Sequence, residues 1–182
     1  MTYLLDSNVF MSAKQLHYGF DFCPAFWEWL IRMNGAGKVF SIEKVADEIQ
    51  AGADELSDWA AKLAAGFFQS PDQQTLPALT AVSQWASQYA FPDGKHYTPA
   101  AISTFLQIAD YYLVAQALAG GYTIVTHEVP ANTVSKIKIP NACLNLKVKY
   151  VTPFEMLRTE RARFVLQQAS AGETGSMPYW RD

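Results

Sequence analysis

Cysteine is nearly absent from the 182-residue chain, which holds only Cys23 and Cys143. Two thiols make neither a disulfide framework nor a four-ligand zinc site by themselves. Such sparse use fits a reducing compartment. Charge is scarce too, at 17% of residues against 50% apolar, which excludes a disordered or low-complexity chain. No apolar stretch approaches the roughly 20 residues of a membrane span, and no basic leader precedes the first apolar run. Histidine is limited to His17, His96 and His127, without metal-binding spacing. No internal repeat and no Gly/Ser linker divides the chain. The expectation is a soluble cytoplasmic protein of one domain, with no membrane partner and enough length to bury a large core.

The net charge of −3 hides an asymmetry. Residues 1–128 carry 6 Lys/Arg and 13 Asp/Glu, a balance of −7, whereas residues 129–182 carry 8 and 4, a balance of +4. An acidic body with a basic end is either a local phosphate-binding face or clustered surface charge.

Tyr3-Leu4-Leu5 is a short continuous apolar run of the kind found in buried parallel strands, and it stops at the polar turn cluster Asp6-Ser7-Asn8. Pro24 opens a helix carrying Phe26, Trp27, Trp29, Leu30 and Met33, which ends at Gly35 and Gly37. Val39-Phe40 reads as a second strand. Ser41 reads as the N-cap of a helix over 42–51, ended by Gly52. Helices are expected over 54–67, 76–89, 99–119 and 153–163, and strands over 122–126 and 148–151. Short apolar strands alternating with helices predict an α/β fold with a parallel sheet.

The informative acids stand where apolar residues belong. Asp6 directly follows a buried-looking strand, and ligands of open parallel sheets bind outside the carboxyl ends of strands; capping of the next turn is the alternative. Asp110 falls on the apolar stripe of Leu106, Leu113, Val114 and Ala117, where an unpaired carboxylate costs desolvation energy. It therefore requires a cation, strong donors or a wet cleft, unless a helix starting at Ala109 leaves it in a first turn. Glu128 lies just past the strand over 122–126, at the same sheet edge as Asp6. On the helix over 42–51, Glu43 and Glu48 flank the buried face, and periodicity does not choose between them. Several carboxylates at one edge resist joint ionisation, and a hard divalent cation such as Mg²⁺ or Mn²⁺ removes the conflict.

Four segments together resemble the PIN-like domain family of metal-dependent nucleases, many of them VapC-like toxins. Leu5-Asp6-Ser7-Asn8-Val9-Phe10 is similar to the family's strand-ending Leu-Asp-(Ser/Thr)-Asn. Val45-Ala46-Asp47-Glu48-Ile49, with Gly52 after it, is similar to its helical Ala-x-Glu-(Leu/Ile). Ala109-Asp110-Tyr111-Tyr112-Leu113-Val114-Ala115-Gln116-Ala117 matches its Asp-x-x-(Ile/Leu)-x-x-x-Ala helix. Ile124-Val125-Thr126-His127-Glu128 stands in place of strand plus Thr-x-Asp. A related branch uses Thr-His-Glu, followed by a Lys-rich stretch and Ile-Pro-x-x-Cys, here Ile139-Pro140-Asn141-Ala142-Cys143.

The resemblance implies a three-layer α/β/α sandwich with strand order 3-2-1-4-5 and an Mg²⁺- or Mn²⁺-dependent endoribonuclease. It selects Glu48 over Glu43 and makes Asp6, Glu48, Asp110 and Glu128 the catalytic cluster. Asp6, Asp110 and Glu128 would be metal ligands, with Asn8 and Thr126 in support. Glu128 departs from the usual Asp, and its extra methylene makes direct coordination less secure. Implied partners are RNA, a cognate antitoxin protein and a second copy in a homodimer. Residues 1–160 would form the nuclease domain with a helical insertion at about 54–90; residues 161–182 would be a helix end and flexible tail.

Lys136, Lys138, Lys147 and Lys149 either track a nucleic-acid backbone or are solvated, and Lys136 and Lys138 are the substrate-binding candidates. His127 is expected to make local hydrogen bonds, Cys143 to be a small buried hydrophobe, and the helical tryptophans to be core. Two competing functions are an inactive PIN-like binding module and a DNA structure-specific nuclease of the same superfamily.

Overall fold

Strand β1 has three residues, Tyr3–Leu5, all buried. A strand hidden on both sides belongs in the middle of a sheet with covered faces. In the computed structural model, which describes residues 1–165, β1 is the centre of a five-stranded parallel sheet. It pairs with β2 (Val39–Ile42) and β4 (Thr123–Val125), while β3 (Phe68–Gln69) and β5 (Lys149–Val151) form the edges. The order is β3-β2-β1-β4-β5. The register Leu5 to Val125 to Val151 brings the carboxyl ends of three strands level.

Helix α1 (Ser7–Ser12), a π-helical turn (Ala13–His17) and α2 (Pro24–Gly35) connect β1 to β2. Helices α3 (Glu43–Gln50) and α4 (Glu55–Ala61) connect β2 to β3. Helices α5 (Thr75–Gln88), α6 (Pro99–Phe105) and α7 (Ala109–Gly120) return the chain to β4. Helix α8 (Ile139–Leu146) joins β4 to β5, and α9 (Pro153–Thr159) follows. Right-handed crossovers place α1 to α4 on one face and α5 to α8 on the other, while Pro153 and Phe154 of α9 return to the face of α1 and α2. Accordingly α3 packs on α1 and α4, while α5, α7 and α8 pack on one another. The result is a three-layer α/β/α sandwich. Leu4, Leu5, Leu30, Val45, Leu113 and Ile124 are fully buried at its centre; burying each such side chain is worth about 1.5–3 kcal/mol. Among the described residues no helix is long and apolar enough to cross a membrane.

Local chemistry sets the ends of the elements. Gly121 closes α7 at φ 66°, in the left-handed region where glycine carries no Cβ penalty. Thr152 and Glu155 form a reciprocal capping box on α9.

The structure corrects several expected boundaries. Ser41 is a buried β2 residue rather than an N-cap; its Oγ donates to the Leu5 carbonyl at 2.6 Å, and α3 starts at Glu43. The cluster Asp6-Ser7-Asn8 is a helix start, not only a turn. The expected helix over 54–67 ends at Ala61, and the chain then enters β3, so residues 54–90 supply an edge strand as well as helices. The long helix over 99–119 breaks at residues 106–108, where Ile108 is extended (φ −101°, ψ 167°). Residues 139–146 form a helix where the sequence offers only Ile-Pro-x-x-Cys as a signal. The last helix stops at Thr159 rather than Arg163. Most of the tail expected over 161–182 lies outside the described residues.

Candidate active site

Asp6 is 3% exposed at the end of β1. It occupies the N-cap position of α1, yet its side chain makes no capping hydrogen bond. Instead it turns toward the end of β4. Thr126 Oγ1 donates to Asp6 Oδ2 at 2.8 Å, and Asn8 Nδ2 donates to the same oxygen at 2.5 Å. The Thr126 hydroxyl spends its one proton on Asp6 and accepts from Asn8 Nδ2 at 3.1 Å and from the Glu128 amide at 3.0 Å. Asn8 Oδ1 accepts from the His127 amide at 3.1 Å, which fixes the orientation of the Asn8 side chain. Asn8 and Thr126 thus tie the ends of β1 and β4 into one network around Asp6.

The break before α7 brings in two more acids. Asp110 lies in the first turn of α7, the arrangement that a helix start at Ala109 requires. Glu48, half-buried on α3, accepts the Ala109 amide through Oε1 at 3.4 Å, which is long for a hydrogen bond. Both carboxylates face a helix N-terminus, where the aligned peptide dipoles favour negative charge. Glu43 is exposed and bonds to the Ser70 hydroxyl, away from this group.

Glu128 is held differently. Its Oε1 pairs with Lys138 Nζ, and its Oε2 accepts the Ile139 amide at 2.9 Å, capping α8. Asn141 clamps the intervening loop, its Oδ1 accepting from the Ala131 amide at 3.0 Å and its Nδ2 donating to the Ala131 carbonyl at 2.9 Å.

The four acids share one electrostatic environment. Burial pushes Asp6 up to about 6, with Glu128 and Glu48 adding to the rise and the Thr126 hydroxyl opposing it. Burial pushes Asp110 up to about 8; the Asp6, Glu128 and Glu48 carboxylates add to the rise, and Lys136 pulls against it. No hydrogen-bond donor reaches the Asp110 carboxylate among the described residues. The hydrogen bond to Glu128 raises Lys138, and Asp110 adds to the effect.

All four acids offer oxygen, the ligand chemistry of hard cations such as Mg²⁺ and Mn²⁺. Asp6 and Asp110 fit such an ion best, because burial and like charge leave them in need of positive charge. Glu48 carries one long contact and is the next available donor. Glu128 has both oxygens engaged and fits less well. Among the described residues no three His, Cys, Asp or Glu side chains are gathered tightly enough to form a ready ligand set. The acids are coupled by charge without meeting at one point.

The basic residues divide in two. Lys136 and Lys138 act electrostatically on Asp110 and therefore border the acids. Lys149 starts β5, and Lys147 precedes it, so both lie at the opposite edge of the sheet. His127 packs beside His17 and Phe154, and burial, followed by the charge of His17, lowers its pKa. Cys143 is buried and pushed up to about 12, as suits a small hydrophobe rather than a nucleophile. Trp27 and Trp29 are core; Trp59 and Trp85 pack partly buried against it. The Lys138–Glu128 pair and the Asn141 clamp escaped the sequence reading, since a ten-residue spacing has no periodicity. Asp110 on an apolar stripe was the one signal that pointed to the helix break.

A family model described as "Domain of unknown function (DUF4411)" matches residues 3–164. No curated protein and no solved structure matches the chain.

Proposed function

The chain belongs to the DUF4411 family, and from the chemistry of its sheet edge we propose that it is a PIN-like, Mg²⁺- or Mn²⁺-dependent endoribonuclease. The observation that carries this reading is the pair Asp6 and Asp110. A buried acid, Asp6, and a half-buried one, Asp110, stand at the carboxyl end of a parallel sheet, both raised in pKa, beside two further carboxylates. A purely structural site would give each acid a cation or a full set of donors. Asp110 has neither.

Asp6 and Asp110 would hold the cation, with Glu48 and Glu128 beside them. When bound, such an ion compensates the acids and supplies Lewis acidity at a phosphodiester. Asn8 and Thr126 keep the Asp6 carboxylate in one orientation. Lys138 and the α8 amide keep Glu128 in place. Lys136, exposed and next to Asp110, binds a phosphate of the substrate. Water would be the nucleophile; burial pushes the Cys143 thiol up to about 12 and disfavours its thiolate. RNA rather than DNA, the role of toxin, an antitoxin partner, a homodimer and a cytoplasmic setting follow from the PIN-like resemblance.

One observation favours a second reading, a PIN-like binding module without activity: both Glu128 oxygens are engaged within the chain. A cleavage assay on mixed RNA and DNA with Mg²⁺ or Mn²⁺, beside an Asp6→Asn control, separates the two. The nuclease reading expects RNA cleavage by the wild type alone. Equal cutting by both proteins removes the site assignment, and no cutting by either favours the binding module.

A further inference from the structure

A cleft lies directly beside the acids. It encloses about 350 Å³ between α6 and residues 135–137, and its lining includes Ala101, Thr104, Phe105, Ile108, Ser135 and Lys136. Ile108 is the residue before α7, two positions from Asp110. Lys136 forms part of the wall, and its charge acts on Asp110. One side chain therefore borders both the cleft and the acid cluster.

We propose that this cleft seats one unpaired nucleobase of a single-stranded RNA substrate, next to the phosphate that is cleaved, an inference that rests on the nuclease reading. Size is the first reason. The volume falls at the low end of the roughly 300–1,000 Å³ of small-ligand pockets, which suits one ring system rather than a peptide helix or strand. Lining chemistry is the second. Ala100 and Ile108 offer apolar surface for the faces of a base, over a floor of buried Ala101 and Phe105, and no carboxylate lines the cleft among the described residues. Thr104 and Ser135 add hydroxyls, which both donate and accept and so serve the polar edge of any base. The charge pattern is the third. The one cation of the lining stands on the side of the acids, where the phosphate attached to a seated base must lie. A base held in a duplex is stacked and paired and does not enter a cleft, whereas unpaired bases splay out and insert.

The test is binding of a short labelled single-stranded RNA, followed by fluorescence anisotropy in EDTA so that cleavage does not intervene. Thr104 is exposed, so Thr104→Phe fills the cleft without entering the core. The expected result is an affinity loss of about tenfold, the scale of one lost base contact, with unchanged melting temperature and unchanged thermal response to Mn²⁺. An abasic nucleotide walked along the RNA should cause the same loss in the wild type at one position and none in Thr104→Phe. If Thr104→Phe melts early, Ser135→Ala serves instead, with a smaller loss confined to the same position. Unchanged affinity in the variants, or no sensitive position, overturns the proposal and leaves the cleft to a side chain of a protein partner. If the wild type cleaves RNA while the variants bind normally, only the nucleobase site fails. If the wild type neither binds nor cleaves RNA, the nuclease reading fails with it.

Discussion

Lys138 and Glu128 are paired across ten residues of loop, with both side chains largely withdrawn from solvent. The pair does more than neutralise charge. Glu128 also caps α8 through the Ile139 amide, so one carboxylate anchors the loop at its start and its end. Lys138→Ala should therefore destabilise the protein by about 1–2 kcal/mol, the range for a charge-assisted hydrogen bond on a partly exposed pair. Urea unfolding of Lys138→Ala, Glu128→Gln and the double variant measures the coupling directly. Additive losses would mean that the pair contributes nothing as a pair.

Of the two lysines that border the acids, Lys136 is the one without an ion pair among the described residues, so under the proposed function it is the candidate phosphate contact. Lys136→Ala should weaken RNA binding without altering the melting temperature. It should also flatten the slope of log affinity against log salt by about 0.7, the value for one phosphate contact on a single strand. An unchanged slope would move the phosphate path elsewhere.

Cation binding should stabilise the native state by linkage, by about 2.7 kcal/mol at a concentration 100-fold above the dissociation constant. Asp110→Asn removes a carboxylate that faces three others. It should raise the melting temperature in EDTA and abolish the shift caused by Mn²⁺. A variant that is strongly destabilised in EDTA would mark Asp110 as a structural residue.

The pH dependence has a defined sign. Asp6 and Asp110 are raised in the folded state to about 6 and about 8. Between the ordinary carboxylate range and these values the unfolded chain has lost protons that the folded one keeps, so stability falls as pH rises. Without divalent cations, the stability contributed by these two acids should be full below about pH 4 and gone by about pH 8. The lowered pKa of His127 works in the opposite direction just below its usual range. The carboxylates lowered by partners, such as Glu160 beside Lys38 and Tyr3, matter only in more acidic solution. Metal competes with protons, so the Mn²⁺-induced melting shift should grow from pH 6 to pH 8. Melting curves in EDTA and in Mn²⁺ across this range check both trends, and Asp110→Asn should flatten them.

Much of the site was legible because it breaks local rules. Asp6 ends an apolar run, and Asp110 interrupts an apolar stripe; both conflicts are visible without a fold. Strands β1 and β4 were legible as short β-branched or apolar runs, and Gly121 as a stop. Strand β3 was not, since two residues carry no alternation. Ser41 misled because a serine before an amphipathic run has the pattern of a cap, whereas its hydroxyl is used across the sheet on Leu5. The break at residues 106–108 contains neither Pro nor Gly, and the contact of Glu48 with Ala109 that marks the new start spans 61 positions. Long-range pairs of that kind leave no trace in a local window.

The position of β1 at the centre of the sheet also sets an order of events during synthesis. Tyr3–Leu5 is made well before Thr123–Val125, so its ladder on that side waits for them. Asp6 therefore emerges long before Thr126 and Glu128, the residues that orient it and crowd it. A chain made only as far as residue 100 contains Asp6 and Glu48 but neither Asp110 nor Glu128, and its central strand has half its neighbours. The carboxylate edge is thus complete only once the chain has been made through Glu128. Long-range parallel pairing is slow to form, so the acid cluster belongs to the later-assembled part of the fold.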